Sequence, residues 1–349
     1  MSGLVIVEGL NRASQKYQPV LQMLPFLVLQ NVMSELEINL LEVSSKDIAV
    51  QMLRKGGVSA PYIATTSDDD HITSEELGKF VERILTVEPC VAVIKDHIMN
   101  YKDKLILNND PNSQKVDNKT KKHPLEFLFL QAKVKTIAED IIDALFFAER
   151  NTADKSPMGM FNGYNTILDS LVSAGEISTA KKNLVNTGSI ETPADVDDTD
   201  AYDKLVAFLR SANPFLRKNG VLYATNDLLF NVMDALGNKI RYKGSLEYEI
   251  FLSHLKGTTQ MPNLRIITHA ALGSGDRLIL CKPRNFDFGM NTKGDEQFVQ
   301  VRNPYADPNF IQFWTQWDAG TRIMALHPKE FQINDGVNVG LTMSGDYIS

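Results

Sequence analysis

The stretch PLEFLFLQAKVKTIAEDIIDALFFAER, residues 124–150, is the clearest helical pattern in the chain and decides the fold. Pro124 suits the first position of a helix, where a missing N–H costs little. Apolar residues then recur at spacings of three and four, which predicts one helix with a single apolar stripe. The stripe consists of Phe127, Leu130, Val134, Ile137, Ile141, Leu145 and Ala148. At ~1.5 Å per residue the helix would span roughly 40 Å, so it needs a sheet or another subunit along its length.

The same stretch is not expected to cross a membrane, because a membrane helix needs ~20 mostly apolar residues. Six charged residues interrupt it: Glu126, Lys133, Lys135, Glu139, Asp140 and Asp143. The chain begins MSGLVIVE, without the basic segment and cleavage site of a secretory signal. Cys90 and Cys281 have no partner at metal-ligand spacing, which argues against a disulfide framework or a zinc site. We therefore expect a soluble, cytoplasmic protein with no membrane partner.

Composition and charge narrow the classes of function. The chain has 349 residues, of which 43% are hydrophobic and 23% charged, as in globular proteins. This length exceeds the ~250–300 residues at which single cores stop growing, so about two domains, or one domain with long extensions, are expected. The 36 basic and 43 acidic residues give a net charge of −7. A sequence-reading DNA-binding protein needs a basic face, so that function is disfavoured.

The second half of the chain predicts a mixture of helices and strands. Helices are expected at Asp200–Arg210, ended by Pro214, and at Asn226–Leu236, closed by Gly237. Several strands follow without helices between them, which predicts an α+β fold. These strands are expected at 221–225, 265–268, 277–281, 298–301, 310–317 and 321–326.

The first half is less regular. Residues 1–60 resemble an extended or amphipathic lead-in, because Pro19 and Pro25 block a continuous helix. Two interpretations remain open: a small N-terminal subdomain, or an arm whose apolar face is completed by another subunit. A helix is predicted at Ser74–Val87, followed by strands at Val91–Ile94 and Lys104–Asn108. The polar residues 108–122, with four lysines, predict a solvated loop.

A search for catalytic and ligand-binding patterns finds none that is convincing. The run Asp68, Asp69, Asp70 and His71 could bind a metal, but a solvated loop is the simpler interpretation. The acidic loop 195–200 lacks the glycine and closing glutamate of a calcium loop and is expected to cap the next helix. Trp314 and Trp317, three residues apart in a strand, should point to opposite faces. We assign no catalytic, cofactor-binding or metal residues and expect a protein that is not an enzyme.

The order of segments resembles the major capsid protein of tailed bacteriophages, which has the Hong Kong 97-type capsid fold. Two segments carry most of the resemblance: VLYATNDLLFNVMDALGNK at 221–239 and PRNFDFG at 283–289. A predicted hairpin at 277–290 and a paired β segment at 312–327 follow the same order. The resemblance covers roughly residues 75–340.

The resemblance implies an N-terminal arm, an E-loop, a long spine helix, a peripheral domain and an axial domain. Placed on this sequence, they divide the chain into the arm (1–74), a helix and E-loop region (75–123), the spine helix and start of the peripheral domain (124–159), the axial domain (160–275) and a return to the peripheral sheet (276–349).

The function implied is self-assembly, as hexamers and pentamers, into an icosahedral shell around a double-stranded DNA genome. The implied location is the virion capsid, assembled in the host cytoplasm. The implied partners are other copies, portal, scaffold and decoration proteins, and DNA bound without sequence specificity. Two alternatives stay open: a cytosolic metal-dependent enzyme using Asp68, Asp69, Asp70 and His71, and an encapsulin-like cellular compartment.

Overall fold

The computed structural model describes residues 3–43, 47–53, 80–97, 125–195, 197–241, 246–291, 299–302 and 310–340. The helices are α1 (Gly3–Lys16), α2 (Gln18–Glu35), α3 (Leu125–Phe147), α4 (Tyr164–Ser173), α5 (Asp200–Ser211), α6 (Pro214–Asn219), α7 (Asn226–Lys239) and α8 (Tyr248–Thr259). The strands are β1 (Ile38–Glu42), β2 (Asp47–Leu53), β3 (Phe80–Thr86), β4 (Glu88–His97), β5 (Leu184–Val185), β6 (Val221–Tyr223), β7 (Arg265–Ile267), β8 (Ser274–Gly275), β9 (Ile279–Cys281), β10 (Phe286–Asn291), β11 (Val299–Arg302), β12 (Phe310–Ile323), β13 (Phe331–Asn334) and β14 (Asn338–Val339). The predicted mixture of helix and sheet is confirmed.

Sheet I is built around β12, the longest strand described. Strand β4 pairs antiparallel with one side of β12, while β10 and β11 pair with the other side. Strand β1 adds to β10 in parallel. The two separate strands expected at 310–317 and 321–326 are one strand, because Ala319 and Gly320 stay paired with Met290 and Gly289.

Helix α3 lies along the inner face of sheet I together with α1 and α2. The prediction of a long helix is confirmed for Leu125–Phe147, and every residue of its predicted stripe is buried. The first half of the stripe packs with Val299, Val301, Ile311 and Phe313 of the sheet. The second half joins a larger core that contains Phe286, Phe288 and Trp317. The sheet therefore supplies the support that so long a helix needs.

Of the extended or amphipathic lead-in expected at residues 1–60, the extended form is wrong for residues 3–43, which form α1, α2 and β1 and fold onto the rest of the chain. Pro19 lies in the first turn of α2, where its missing N–H has no helical partner to lose. Pro25 lies inside α2 and costs the helix one hydrogen bond, about 3 kcal/mol in an isolated helix. Leu21, Leu29 and Met33 are at most 1% exposed. Their burial offsets the cost of Pro25.

The prediction of a helix at Ser74–Val87 is wrong over Phe80–Thr86, which forms β3. Strand β3 pairs antiparallel with β2, so the pairing outweighs the local helical pattern. The predicted strand at Val91–Ile94 is confirmed within β4. Residues 74–79, the expected strand at Lys104–Asn108 and the polar loop 108–122 lie outside the described residues.

Sheet II has the strand order β5-β13-β9-β6-β7 and a separate core with α5, α7 and α8. The predicted helices at 200–210 and 226–236 are confirmed, but α7 continues to Lys239. Gly237 is therefore buried inside the helix and does not close it. The left-handed conformation that ends this segment belongs to Arg241, with φ 53°.

The hairpin predicted at 277–290 is also wrong, because its two strands enter different sheets. Strand β9 lies in sheet II and β10 lies in sheet I. Between them the side chain of Asn285 donates to the carbonyl of Ala325 at 2.9 Å and accepts from the N–H of Ala325 at 2.9 Å. These two bonds fix the crossing of the chain from one sheet to the other.

Candidate assembly surfaces

The described residues contain no group of three or more His, Cys, Asp or Glu side chains able to hold a metal ion. Asp68, Asp69, Asp70 and His71 lie outside the described residues. No helix in the described ranges is long and apolar enough to cross a membrane.

The acidic loop before α5 caps that helix, as predicted. The carboxylate of Asp198 accepts hydrogen bonds from the N–H of Ala194 at 2.9 Å and from the N–H of Asp200 at 3.0 Å. These donors hold the pKa of Asp198 below its ordinary value. The ammonium of Lys204 also forms an ion pair with the carboxylate of Asp200, 2.6 Å away.

Both cysteines are free and buried. Burial is the main reason that the pKa of Cys90 is raised to about 12, and it also raises the pKa of Cys281. Both thiols therefore stay protonated at neutral pH and are poor nucleophiles.

The outward side of sheet I is the first candidate assembly surface. We call it the outer β face, formed by Val91, Val93 and Lys95 of β4, Gln300 and Arg302 of β11, and Gln312, Trp314 and Gln316 of β12. Val91 is 53% exposed and Val93 46% exposed. The predicted split of the tryptophans is confirmed: Trp317 is buried on the inner side, whereas Trp314 lies outward under the guanidinium of Arg302, 5.3 Å from its ring centroid.

The exposed side of α2 is the second surface. Val20, Met23 and Leu27 follow one another at helical spacing, and each is at least half exposed. The opposite side of α2 is buried against the core. No charged residue occurs between Gln18 and Ser34, so α2 is apolar on nearly all sides. Such a helix is normally covered all round.

The helices beside sheet II form the third surface. Phe215 of α6 is 70% exposed and Phe230 of α7 is 65% exposed. The ammonium of Lys329 lies over the ring of Phe215, 5.1 Å from its centroid. Phe230 stands between the exposed residues Asp227 and Asp234 on one side of α7. We take these two exposed aromatic side chains as the markers of the third candidate surface.

A pair of glycines lets another strand cross sheet I closely. Gly289 and Gly320 are direct cross-strand partners. A Cβ on Gly320 would lie 2.1 Å from the carbonyl oxygen of Thr86, and one on Gly289 would lie 2.7 Å from the side chain of Leu85. Only glycine at these positions lets the end of β3 pack directly on the sheet. The β2–β3 ribbon is therefore anchored at its base.

The N-terminal segment joins the two sheets. The hydroxyl of Tyr223 in sheet II donates to the carbonyl of Leu36 at 2.7 Å. Glu37 pairs with both terminal nitrogens of Arg265, one of them at 3.0 Å. Two residues further along the chain, in β1, the amide of Asn39 donates to the carboxylate of Asp287 in sheet I at 2.8 Å. Residues 36–39 thus hold the two sheets in one arrangement.

Helix α3 carries an acidic group on its outer side. Burial, and after it the charges of Asp143 and Glu139, raises the pKa of Asp140 to about 6. Burial and the charge of Glu139 also raise the pKa of Asp143. The ionised carboxylates therefore destabilise this part of α3 at neutral pH.

Sequence reasoning did not locate the outer β face or the exposed aromatics of α6 and α7. For residues 1–60 it left open an arm with an apolar face completed by another subunit, but it did not define the α2 stripe. The charge-free run from Gln18 to Ser34 was the available signal for α2, but the prolines within it obscured the helix. The outer β face depends on the pairing of β4 with β12, which are far apart in the chain.

No protein-family model and no curated protein matches the chain. Solved structures of capsids match the fold of the chain. A chain of the satellite phage P4 procapsid that includes the size determination (Sid) protein has a TM-score of 0.50 and 13% identity, covering 88% of this chain and 89% of that one. A chain of the capsid of the empty GTA particle has a TM-score of 0.51 and 13% identity, covering 87% and 89%. This chain therefore has a capsid-protein fold, as the resemblance of residues 221–239 and 283–289 implied.

Proposed function

We propose that this chain is the major capsid protein of a tailed bacteriophage and self-assembles into a closed shell. The observation that carries the proposal is the fold shared with two capsid structures over 87–88% of the chain. A match that covers this much of both chains extends well beyond one fragment of a fold.

The exposed apolar side chains support the same function. The outer β face, the α2 stripe and the aromatics of α6 and α7 are separate from one another, so one partner surface would not cover them all. A subunit of a shell meets several neighbours and needs several such surfaces. Together they would stabilise the subunit through assembly.

The implied parts have natural counterparts in this fold. Helix α3 is the spine helix, and sheet I with its inner helices is the peripheral domain. Sheet II with α5, α7 and α8 is the axial domain, which extends beyond residue 275 to take in β9 and β13. We assign the E-loop to a region that includes the β2–β3 ribbon; strand β3 lies within the residues 75–123 expected from the sequence.

The shell is expected to consist of hexamers and pentamers around double-stranded DNA, assembled in the host cytoplasm to form the virion. Portal, scaffold and decoration proteins are the expected partners. The net charge of −7 suits this role, because a strongly basic lining would bind DNA during assembly.

Electron microscopy and light scattering of the purified full chain test the proposal. We expect closed, uniform shells. Leu27→Lys, which places a charge on the α2 stripe, should reduce the yield of shells while the circular dichroism spectrum stays unchanged. Gln15→Lys, on an exposed polar position of α1 outside the three surfaces, is the matched control. A strictly monomeric wild-type protein under every condition tried would contradict the proposal.

The two alternatives are separated by further measurements. The capsid fold does not favour a metal-dependent enzyme. An encapsulin-like compartment would also form shells, so it differs only in cargo. Particles purified from the source cells, treated with nuclease and then opened, should release DNA if the shell is viral and an enzyme if it is a cellular compartment.

A further inference from the structure

The outer β face combines an apolar centre with two cations. Lys95, Gln312 and Arg302 are neighbours in one row across β4, β12 and β11. Adjacent strands are ~4.8 Å apart, so the backbones of Lys95 and Arg302 are separated by roughly 10 Å. In the part of the chain that the structure describes, neither cation has a carboxylate partner. The neighbouring row contains Val93 and Trp314.

Helix α7 presents the opposite pattern. Asp227 and Asp234 are seven residues apart on its exposed side, which is about 10.5 Å along a helix. Within the described ranges, neither carboxylate has a cationic partner. Phe230, which is 65% exposed, stands between them. The spacing of the two acids therefore matches the spacing of the two cations.

We propose that α7 of one copy docks across the outer β face of a second copy. Asp227 and Asp234 pair with Lys95 and Arg302, in either order, and Phe230 packs beside Trp314 and Val93. This inference rests on the proposed self-assembly and specifies one contact between copies through which the shell would form. Because the two surfaces differ, the contact is head-to-tail and generates a ring or a continuing lattice instead of an isolated pair.

The observations favour a second copy over nucleic acid as the occupant. DNA is bound mainly through phosphates, and each contact needs a cation. The outer β face offers two cations that have no carboxylate partner among the described residues. They surround an apolar centre of Val91, Val93 and Trp314, which has no counterpart on a phosphate backbone. Asp318, the one acid within β12, lies six residues from Gln312, roughly 20 Å away at ~3.3 Å per residue. It would not repel the docked helix.

Charge exchange in the full chain tests the contact. Lys95→Glu with Arg302→Glu should lower the assembled fraction at least tenfold, and so should Asp227→Lys with Asp234→Lys. Combining all four substitutions restores opposite charges and should bring assembly back to within about threefold of wild type. Assembly is measured by size-exclusion chromatography with light scattering and by electron microscopy, and folding by circular dichroism.

The matched control is Lys155→Glu with Lys181→Glu, which reverses two exposed charges elsewhere and should leave assembly unchanged. The inference is overturned if either reversed pair assembles like wild type, or if the fourfold variant remains as defective as the pairs. Unchanged assembly with less DNA retained by the Lys95 and Arg302 variant would overturn it in favour of nucleic acid. Failure of the wild-type chain to form shells would instead contradict the proposed function.

Discussion

Arg322→Met is expected to destabilise the folded chain by about 3–5 kcal/mol, because it leaves a buried carboxylate without its cation. Arg322 on β12 and Asp287 on β10 are cross-strand partners, and their side chains are 5% and 3% exposed. Both the Nε of Arg322, at 3.0 Å, and one of its terminal nitrogens donate to the same oxygen of Asp287. After the substitution the only bond described for that carboxylate is from the amide of Asn39.

Adding Asp287→Asn should recover most of the loss. The amide carries no charge, and its oxygen can still accept from Asn39, so the penalty for a buried charge disappears. The double variant should therefore lie within about 1–2 kcal/mol of wild type, the cost of the hydrogen bonds that are not replaced. The measurement is urea unfolding followed by far-ultraviolet circular dichroism. Protein concentration is held fixed, since assembly makes apparent stability depend on it.

Arg12→Met is the control for this pair. Arg12 pairs with Glu8 at 3.1 Å, but their side chains are 77% and 61% exposed. Such an exposed pair contributes at most about 1 kcal/mol to the free energy of unfolding. The reasoning is refuted if Arg322→Met costs less than about 1 kcal/mol, or if the double variant is as unstable as the single one.

Three further predictions concern stability. Ile141→Asp buries an unpaired charge on the fully buried side of α3 and should cost several kcal/mol and abolish soluble expression, whereas Lys135→Asp on the exposed side should express normally. Gly320→Ala should detach the end of β3 and speed amide hydrogen exchange there, whereas Gly237→Ala, with open space around its Cβ, should not. The pKa of Asp140 is raised to about 6 in the folded chain. The stability that the fold gains when this carboxyl is protonated is therefore complete below pH 3.8, the ordinary pKa of the group, and is lost as the pH rises through 6. Asp140→Asn should therefore raise the Tm at about pH 7.5 and lose this advantage at about pH 4.5, and an equal gain at both pH values would contradict the assignment.

The elements that were predicted correctly are those whose pattern is local. The stripe of α3, the capped start of α5 and the succession of β6 and α7 each lie within a short segment. Helix α2 was missed because the sequence shows the proline that destabilises it, Pro25. The sequence does not show the burial of leucines by distant segments, which offsets that cost. Full burial of one large apolar side chain contributes ~1.5–3 kcal/mol, and Leu21 and Leu29 are both completely buried by distant segments.

The assembly surfaces could not be predicted for the same reason. The alternation in β12 was enough to separate Trp314 from Trp317, but it did not indicate which residues lie beside Trp314. Its neighbours Val93 and Gln300 are brought there by the pairing of β4 and β11 with β12. An apolar residue in a strand gives no sign of whether its face is covered by the same chain.

The junction at residues 36–39 connects these surfaces energetically. Glu37 has φ 52°, a conformation that costs a non-glycine residue about 1 kcal/mol, and its carboxylate is held by Arg265 of sheet II. Leu36 is fully buried and bonded to Tyr223, while Asn39 is bonded to sheet I. The outer β face belongs to sheet I and α7 packs with sheet II. This short segment therefore helps to hold the angle between the two proposed contact surfaces, together with the core that both sheets share around Tyr223 and Phe286. In a head-to-tail contact that angle determines whether successive copies close into a ring. In the proposed assembly, residues 36–39 would therefore contribute to the geometry through contacts made inside one subunit.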